Sequence, residues 1–504
     1  MHPSEMKMRA ESFTKKKQVF VVVAFSVYIF TSIIVGLIGP SVLTTREAED
    51  NLTPTSHIGL WQSIYNLDRM NLDLMVSVEI QNNKEYQIET PAKFILDLYG
   101  KSSENGDKKE IVLNDVHTRT IKCDSHSKCD SIYFIHETFI EYSIYQFFIQ
   151  IEPDTLETEL FSGVTFKFEF YNTHFVMFRM IFGFVYVIFS IFVLLFWTYK
   201  TSKISWKVFT FEQKWVTVLL FALVFFNNPF FPITIIGRGW FPEFLDVLFI
   251  LVFVFLMLLF WLVMFDSFRF RPEERTFTKF LLPKISILFV QFVFNFALIL
   301  IQRLHLKNDP EYEEADDLKG YKPLAIISII LFVVYLLWLI YSIYRAFREI
   351  HQFTNWKPVF YFFFNITIID IILFAIFVGV GTLHSEKSNP LVFLATYGLF
   401  NFYIYTLAIG FFPTTESIDM IRGAARQQLG DDEDEIDKNE KQNQQITSSD
   451  DNLRGDDIEM DQVNKVNQKE LNQSEKSEKL DQSEKSEKLD QSEKSEKLDQ
   501  SDDN

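Results

Sequence analysis

The stretch Phe211–Pro232, FEQKWVTVLLFALVFFNNPFFP, decides the fold class of this chain. It begins with a charged segment, continues as an apolar run, and closes on Asn227, Asn228, Pro229 and Pro232. A buried helix of a soluble protein gains nothing from amides among the aromatic residues at its end. In a membrane, amide side chains can satisfy the backbone groups that a proline leaves without a partner. The stretch therefore predicts a membrane helix that ends in a tight turn.

The residues after this turn predict that the chain returns through the membrane. The sequence GRGWFP at 237–242 leads into a second apolar run, and Asp246 lies near its start. Asn227, Asn228, Pro229 and Asp246 are candidates for an intramembrane binding site. The alternative is that the asparagine–proline group is only a device that kinks the helix, and the sequence leaves both open.

Composition supports a membrane protein. Phenylalanine accounts for 56 of 504 residues and 48% of the chain is hydrophobic, more than a soluble core of this length needs. The net charge of −18 is concentrated in residues 413–504, which contain 27 acidic and 13 basic residues. The acidity therefore belongs to a tail, and nothing in the composition indicates a nucleic-acid partner.

Eight apolar runs predict eight spans. Val19–Gly39 carries no charge and is long enough to cross about 30 Å of hydrocarbon, and Pro40 after it makes a poor cleavage site. We therefore expect a retained signal anchor at 19–39, with residues 1–18 in the cytosol. Seven further runs, predicted to form a bundle over 177–412, lie near 177–198, 215–235, 243–265, 283–302, 323–344, 358–382 and 391–412.

The distribution of basic residues predicts the orientation of these spans. With eight spans and an inside N-terminus, the cytosolic segments before the tail hold 16 Lys and Arg, while the short loops on the other side hold 6. Basic residues favour the cytosolic side, so both termini are predicted to be cytosolic. Residues 41–174 are then lumenal or extracellular.

Residues 41–174 predict an antiparallel β-sandwich. Apolar residues occupy every second position in two stretches, at 72–80 and 164–170. Cys123 and Cys129 are the two cysteines of the chain, and we expect them to form a disulfide in an oxidising lumen. Asn51 begins an acceptor sequence for glycosylation, although Pro54 makes it a poor one.

The tail at 413–504 predicts disorder. It is rich in charged and amide residues and ends in three copies of QSEKSEKLD, at 473–481, 482–490 and 491–499. Either it is a solvated tether, or it also binds cytosolic sorting adaptors. The sequence leaves both open.

The spans argue against an enzyme or an ion-coupled transporter, because all nine histidines lie outside them and Asp370 is the only acid near the middle of one. No metal or cofactor is expected. We expect Asp370 to face the bundle and to hydrogen-bond with Asn295, Asn401 or Thr367, and a pure packing role predicts that replacement by leucine causes misfolding. It would serve either helix packing or the floor of a cavity that takes a lipid or a lipidated partner. Arg179, at the edge of its span, is expected to reach outward.

Several motifs resemble those of a known family: Val35–Pro40, Phe211–Pro232 with Leu245-Asp246, Leu281–Lys284, Tyr397–Leu407 and Val116–Thr120 leading into Cys123. Together with the layout of the chain, they resemble the transmembrane protein 181 family of Wntless-like membrane proteins, over 19–302 and 391–412. The resemblance implies a lumenal GOLD-type sandwich ahead of a seven-helix domain. It also brings Asn401 into the candidate site, but it does not extend to Asp370.

The resemblance implies a receptor in the Golgi, endosomes and plasma membrane. One family member is a host receptor for a bacterial toxin, and Wntless relatives escort lipid-modified cargo. We therefore expect a receptor that binds a lumenal or extracellular protein, such as lipidated cargo or a toxin, and escorts or sorts it. The alternative is a seven-helix signalling receptor, which would reside at the surface rather than cycle through the Golgi and endosomes.

Overall fold

The computed structural model describes residues 7–51, 58–82, 88–123, 129–152, 161–202, 206, 209–237, 240–270, 274–308, 321–350, 356–383 and 390–420. The side chains of the predicted glycosylation acceptor at 51–53 fall outside this description. So does the repeat-containing part of the acidic tail.

Residues 43–171 form two antiparallel sheets, each with four strands in the described part of the chain. One sheet has the order β1-β8-β3-β6 and the other β2-β7-β4-β5. The strands are β1 (Leu43–Asn51), β2 (Ile58–Tyr65), β3 (Leu74–Asn82), β4 (Ile88–Lys101), β5 (Lys109–Cys123), β6 (Ile132–Glu137), β7 (Ile144–Ile151) and β8 (Phe161–Tyr171).

The alternation of apolar residues sets the inner face of the sandwich, as the sequence predicts. Val76 lies opposite Phe168, and Val78 lies opposite Phe166. All four side chains are buried. Because side chains alternate across a strand, the residues between them, Ser77 and Lys167, lie on the opposite face of the sheet. Burial of each such side chain contributes roughly 1.5–3 kcal/mol to folding.

The sandwich is attached to the first two membrane helices through one strand pair. Helix α1 (Lys15–Ile38) leads into β1, and β8 leads into α2 (Thr173–Thr201). Leu43 of β1 lies opposite Tyr171 of β8. Asn172 caps α2, because its Oδ1 accepts a hydrogen bond from the backbone of His174 at 3.0 Å. The β1–β8 pair therefore holds the sandwich ends of α1 and α2 side by side.

Eight helical segments in the described residues are long and apolar enough to cross a membrane, as predicted. The helices after α2 are α3 (Phe211–Phe226), α4 (Phe231–Ile236), α5 (Trp240–Ser267), α6 (Leu282–Asn308), α7 (Tyr321–Glu349), α8 (Lys357–Leu383) and α9 (Leu391–Phe411). The short helix α4 completes the span that begins with α3, and a π-helical turn at Phe277–Leu281 precedes α6.

Helix α9 lies at the centre of the bundle and packs against α1, α3 and α8. Two glycines allow this close packing. A Cβ atom at Gly398 would overlap the hydroxyl of Tyr28 on α1, and one at Gly410 would overlap the ring of Phe362 on α8. Small residues at such contacts are how membrane helices bring their backbones together.

The N-terminal strap, residues 7–14, packs against the end of the bundle that is opposite to the sandwich, which we call the far end. The backbone N–H of Arg9 donates to the carbonyl of Phe412 at 2.9 Å, and that of Thr414 donates to the carbonyl of Lys7 at 3.0 Å. Met8 is fully buried, and the ring of Phe13 meets that of Phe362 edge-on at 5.2 Å. This part of the polar N-terminus is therefore packed against the helices.

Candidate ligand-binding site

A cavity of about 720 Å³ lies between the sandwich and the bundle. Its walls are largely apolar: the sandwich contributes Leu98, Phe134 and Phe139, and the bundle contributes Phe244 and Phe296. The volume falls in the range of sites that hold small ligands or the tip of a protein segment. We call it the interdomain cavity.

A small apolar cluster fixes the sandwich against the bundle beside this cavity. Val176 of α2 and Phe231 and Ile235 of α4 are buried against Met70 and Leu72 of the sandwich. The amide of Asn71 donates to the carbonyl of Tyr171 at 3.0 Å and to the hydroxyl of Thr173 at 2.9 Å. These contacts hold the two walls of the cavity in one arrangement.

The sandwich wall carries two histidine–aspartate pairs. His117 Nε2 lies 3.0 Å from Asp115 Oδ2, and Arg119 donates to His117 Nδ1 at 3.1 Å. Arginine can only donate, so Nδ1 must be the acceptor and the neutral ring donates from Nε2 to Asp115. In the second pair, His136 Nε2 lies 3.4 Å from Asp73 Oδ1.

The base of the cavity is an ion pair between two membrane helices. Arg179 Nη2 of α2 lies 3.6 Å from Asp246 Oδ2 of α5. The other carboxylate oxygen of Asp246 accepts from the amide of Asn228 at 2.7 Å. The guanidinium lies over the ring of Phe231, 4.5 Å from its centre. Arg179 therefore does not only reach outward, as expected from the sequence, because it pairs with Asp246 across the bundle.

Near Arg179, the membrane helix is interrupted between α3 and α4. The backbone N–H of Asn227 closes the last turn of α3 on the carbonyl of Leu223 at 3.1 Å. Asn228 takes a left-handed conformation with φ 48°, which asparagine adopts more readily than most residues. Its Oδ1 accepts from the backbone N–H of Phe230 at 3.1 Å. Asparagine therefore suits position 228, and the break directs the amide of Asn228 to Asp246 and the amide of Asn227 to the core of the bundle.

Arg179, Asn227 and Asn228 also line a second cavity of about 20 Å³. This volume is about the size of one water molecule. Arg179 and Phe231 line both cavities, so they lie between the interdomain cavity and the small cavity beside Asn227.

That core is a network of neutral side chains. Asn227 and Asn401 exchange amide hydrogen bonds of 2.8 and 2.7 Å. Asn227 also donates to the hydroxyl of Ser190 at 2.7 Å, and Tyr405 donates to Asn401 Oδ1 at 2.9 Å. Through these contacts α2, α3 and α9 are joined in the middle of the bundle. We call these four residues the central network.

Asp370 lies outside the central network, contrary to the expected hydrogen bonds. The residue is fully buried, and neither carboxylate oxygen has a hydrogen-bond partner among the described residues. Asn295 instead accepts from Ser328 at 2.7 Å, and the hydroxyl of Thr367 is 2.8 Å from that of Tyr403. Asn401 belongs to the central network. Asp370 also does not line the interdomain cavity.

The far end of the bundle contains charged groups to which the sequence analysis assigned no role. Lys284 Nζ lies 2.9 Å from Asp266 Oδ2, and Arg269 Nη1 lies 2.8 Å from Asp266 Oδ1. Glu212 of α3 is fully buried and lies 3.4 Å from Arg275. We call these five residues the far-end cluster. The repeated opposite charges at the predicted span ends were the available signal.

The remaining candidates are placed as follows. Cys123 and Cys129 are joined by a disulfide, and both are buried in the sandwich core. Pro229 lies in the turn between α3 and α4. The described residues contain no group of three or more side chains suited to hold a metal ion.

Comparison with known proteins defines the class. The family model "Wntless-like, transmembrane domain" matches residues 172–415, and "TMEM181, GOLD domain" matches residues 63–171. The two matches adjoin at the junction of β8 and α2. The chain is therefore an integral membrane protein with a GOLD-type sandwich and a Wntless-like transmembrane domain.

The same comparisons give the family. The chain is 28% identical to human (Homo sapiens) transmembrane protein 181 over 426 residues, which cover 82% of this chain and 88% of that protein. With both domain models matched in order, the chain belongs to the transmembrane protein 181 family. This is a family of membrane proteins.

A search of solved structures matches a crystal structure of a protein from Sulfurospirillum deleyianum. The match covers 25% of this chain and 98% of that one, at 7% identity and a TM-score of 0.18. At this score the match carries no argument about fold or function.

Proposed function

We propose that this protein is a receptor of the secretory pathway that binds a lumenal or extracellular protein partner and escorts or sorts it. The interdomain cavity is the observation that carries the proposal. Its size suits part of a partner, and its walls come from both domains. A partner seated there would contact the sandwich and the membrane helices at the same time.

A chain of contacts connects the base of the cavity to the packing of the helices in the bundle. A group that enters the cavity meets Arg179 and Asp246, and Asp246 is bonded to Asn228. The neighbouring residue, Asn227, belongs to the central network that joins three helices. Occupancy of the cavity can therefore change how these helices pack.

The proposed location follows from this function. The sandwich would face the lumen of the Golgi and endosomes or the outside of the cell, and both termini would lie in the cytosol. There the acidic tail, 413–504, would meet sorting adaptors. Part of the partner could be a lipid chain, because the bundle wall is rich in aromatic side chains such as Phe244 and Phe296. A bacterial toxin could use the same surface.

Site-specific photo-cross-linking tests this proposal. A benzoylphenylalanine at Phe296 would react with a partner in the cavity. The matched control is the same residue at Phe289 on the same helix, where the ring is 55% exposed and does not line the cavity. We expect an adduct with a lumenal protein only at 296, and we expect Val247→Trp to abolish it by filling the cavity. Without the receptor, delivery of that partner to the surface should fall.

Two results would contradict the proposal. Identical adducts at 296 and 289 would show that the cavity has no special role. An adduct at 296 with a partner whose transport does not depend on the receptor would remove the escort function. If such a partner also changed a second messenger, the signalling alternative would replace it.

A further inference from the structure

The two walls of the interdomain cavity differ in charge. The sandwich wall contributes three carboxylates, Asp73, Asp115 and Glu137, and its described lining residues include no lysine or arginine. The bundle wall has no net charge, because it contributes two acids, Glu243 and Asp246, and two bases, Arg179 and Arg303. The sandwich wall is therefore the acidic side of the cavity.

The carboxylate of Asp115 on the sandwich wall is only partly compensated. Asp115 receives a hydrogen bond from a neutral His117, and Arg119 lies one step behind that ring rather than on the wall. The side chain of Asp115 remains 51% exposed. A half-exposed carboxylate at a cavity wall attracts cations and disfavours anions.

His136 adds an unsatisfied polar atom to this wall. Its side chain is only 4% exposed, and its Nε2 lies 3.4 Å from the carboxylate of Asp73. The other ring nitrogen, Nδ1, is buried and has no hydrogen-bond partner in the described residues. Because His136 lines the cavity, this unsatisfied nitrogen belongs to the cavity wall.

The backbone at this wall is also held in an uncommon conformation. Asp73 has φ 56°, in the left-handed region that residues other than glycine rarely adopt. Such backbone strain recurs where a protein positions a side chain for binding. Here it places the carboxylate of Asp73 next to His136 at the cavity.

We propose that the interdomain cavity recognises a cationic, amphipathic peptide segment of the partner protein. Its lysine or arginine side chains face Asp73, Asp115 and Glu137 on the sandwich wall, and its apolar side chains pack on the bundle wall. This inference rests on the proposed receptor function and gives the chemistry of its partner. The two walls are complementary to such a segment, because one offers carboxylates and an unsatisfied ring nitrogen and the other offers aromatic surface.

The test uses the full chain in nanodiscs of zwitterionic phosphatidylcholine, so that lipid charge does not contribute. The probes are two fluorescent hairpin peptides with the same leucines, one carrying lysines and the other glutamates at the remaining positions. We expect the lysine peptide to bind at least about tenfold more tightly than the glutamate peptide, and to weaken as salt is raised. Equal binding of the two peptides, or no binding of the lysine peptide, would overturn the inference.

Isosteric variants locate the effect on the sandwich wall. Asp73→Asn should weaken binding of the lysine peptide about tenfold, and the more exposed Asp115→Asn about threefold. Glu110→Gln is the control, because Glu110 is an exposed acid on the same strand as Asp115 and does not line the cavity. The reversal Asp115→Lys should shift preference toward the glutamate peptide, which loss of folding cannot imitate. If it does not, the inference is wrong.

The two proposals fail in different ways. If Val247→Trp abolishes partner adducts at 296 but the charge variants bind both peptides as the wild type does, the receptor function stands and the cationic partner is wrong. If Val247→Trp leaves the adducts unchanged, the cavity is not the binding site and the receptor proposal itself fails.

Discussion

Two of the buried polar layers in the bundle are built from different chemistry. The central network of Ser190, Asn227, Asn401 and Tyr405 contains only neutral amides and hydroxyls, each with a partner. The far-end cluster consists of full charges. Asp266, for example, pairs with both Lys284 and Arg269.

The difference follows the position of each layer along the helices. Ser190 and Asn401 lie well inside α2 and α9, whereas Glu212, Asp266 and Lys284 lie within a turn or two of a helix end. A charge in the hydrocarbon costs several times more than a neutral polar group, unless it is near the interface or closely paired. The bundle therefore has neutral polar groups in its middle and charged groups at its far end. Asp370 is the exception to both patterns.

The largest expected effect comes from unpairing the far-end cluster. Lys284→Met removes a cation that lies 2.9 Å from Asp266. Both side chains are under 10% exposed, so the substitution leaves a buried carboxylate with Arg269 as its remaining ion-pair partner among the described residues. We expect the free energy of unfolding to fall by about 3 kcal/mol. A denaturant titration in detergent, followed by tryptophan fluorescence, would measure it.

The control for this experiment is Lys279→Met. Lys279 is an exposed residue of the π-helical turn just before α6. Its replacement removes the same charge from the same part of the chain, and we expect a change within about 0.5 kcal/mol. Equal destabilisation by the two variants would mean that the far-end pairing contributes nothing beyond net charge.

The next effect has the opposite sign. Asp370 is fully buried and its carboxylate has no hydrogen-bond partner among the described residues. Replacing an unsatisfied buried polar group with an apolar one of similar size removes its desolvation cost. We therefore expect Asp370→Leu to raise the free energy of unfolding by about 2 kcal/mol. This replaces the misfolding expected from the sequence, which assumed hydrogen-bond partners.

Asp370→Asn separates this explanation from a general tolerance of the site. The amide remains polar and without a partner, so we expect stability close to that of the wild type. If Asp370→Leu instead destabilises the protein in the same titration, the carboxyl has a partner that the described contacts do not include.

A smaller loss is expected in the central network. Asn401→Leu removes the reciprocal amide pair with Asn227. Side-chain hydrogen bonds between membrane helices average about 0.6 kcal/mol, so we expect a total loss of about 1–2 kcal/mol. The double variant Asn227→Leu/Asn401→Leu should lose less than the sum of the two single variants, because no orphaned amide remains. Additive losses in the same titration would show that the two side chains do not interact.

The strands, the spans and the helix break could be predicted from the sequence. The sandwich strands follow from period-two alternation, because one face of each strand is buried. The eight spans follow from the lengths of the apolar runs. The break at Asn227 and Asn228 is visible as amides and prolines at the end of such a run. In each of these cases the signal is local in the chain.

Contacts between helices could not be predicted in the same way. Arg179 and Asp246 are far apart in sequence, and nothing local gives the rotation of α2 and α5 that brings them to 3.6 Å. Asn295 and Asn401 were expected as partners of Asp370 from similar depth and Thr367 from being one turn away, but their side chains bond elsewhere. The charges of the far-end cluster resemble ordinary interface residues until the fold buries them. Of the intramembrane candidates named from the sequence, only Asp246 lines the interdomain cavity, because the other residues of this cavity come together only through the packing of the sandwich on the bundle.

The smallest effect concerns the N-terminal strap, where Glu11 lies close to Glu212 of the far-end cluster. Burial raises the pKa of Glu11 above its ordinary value, opposed by the hydrogen bond from the backbone of Met8 and by Lys7, while nearby Glu212 raises it further. An acid with a raised pKa binds its proton more tightly when the strap is docked. Its contribution to docking is therefore fully present below the undocked pKa and is lost as pH rises through the docked pKa. We expect the amide of Arg9, which bonds to Phe412, to become better protected from hydrogen exchange as pH falls through this window, after correction for intrinsic rates. Glu11→Gln keeps an oxygen that can accept from Met8 but cannot titrate, so its protection should not depend on pH. A pH dependence that persists in this variant would assign the effect to another group.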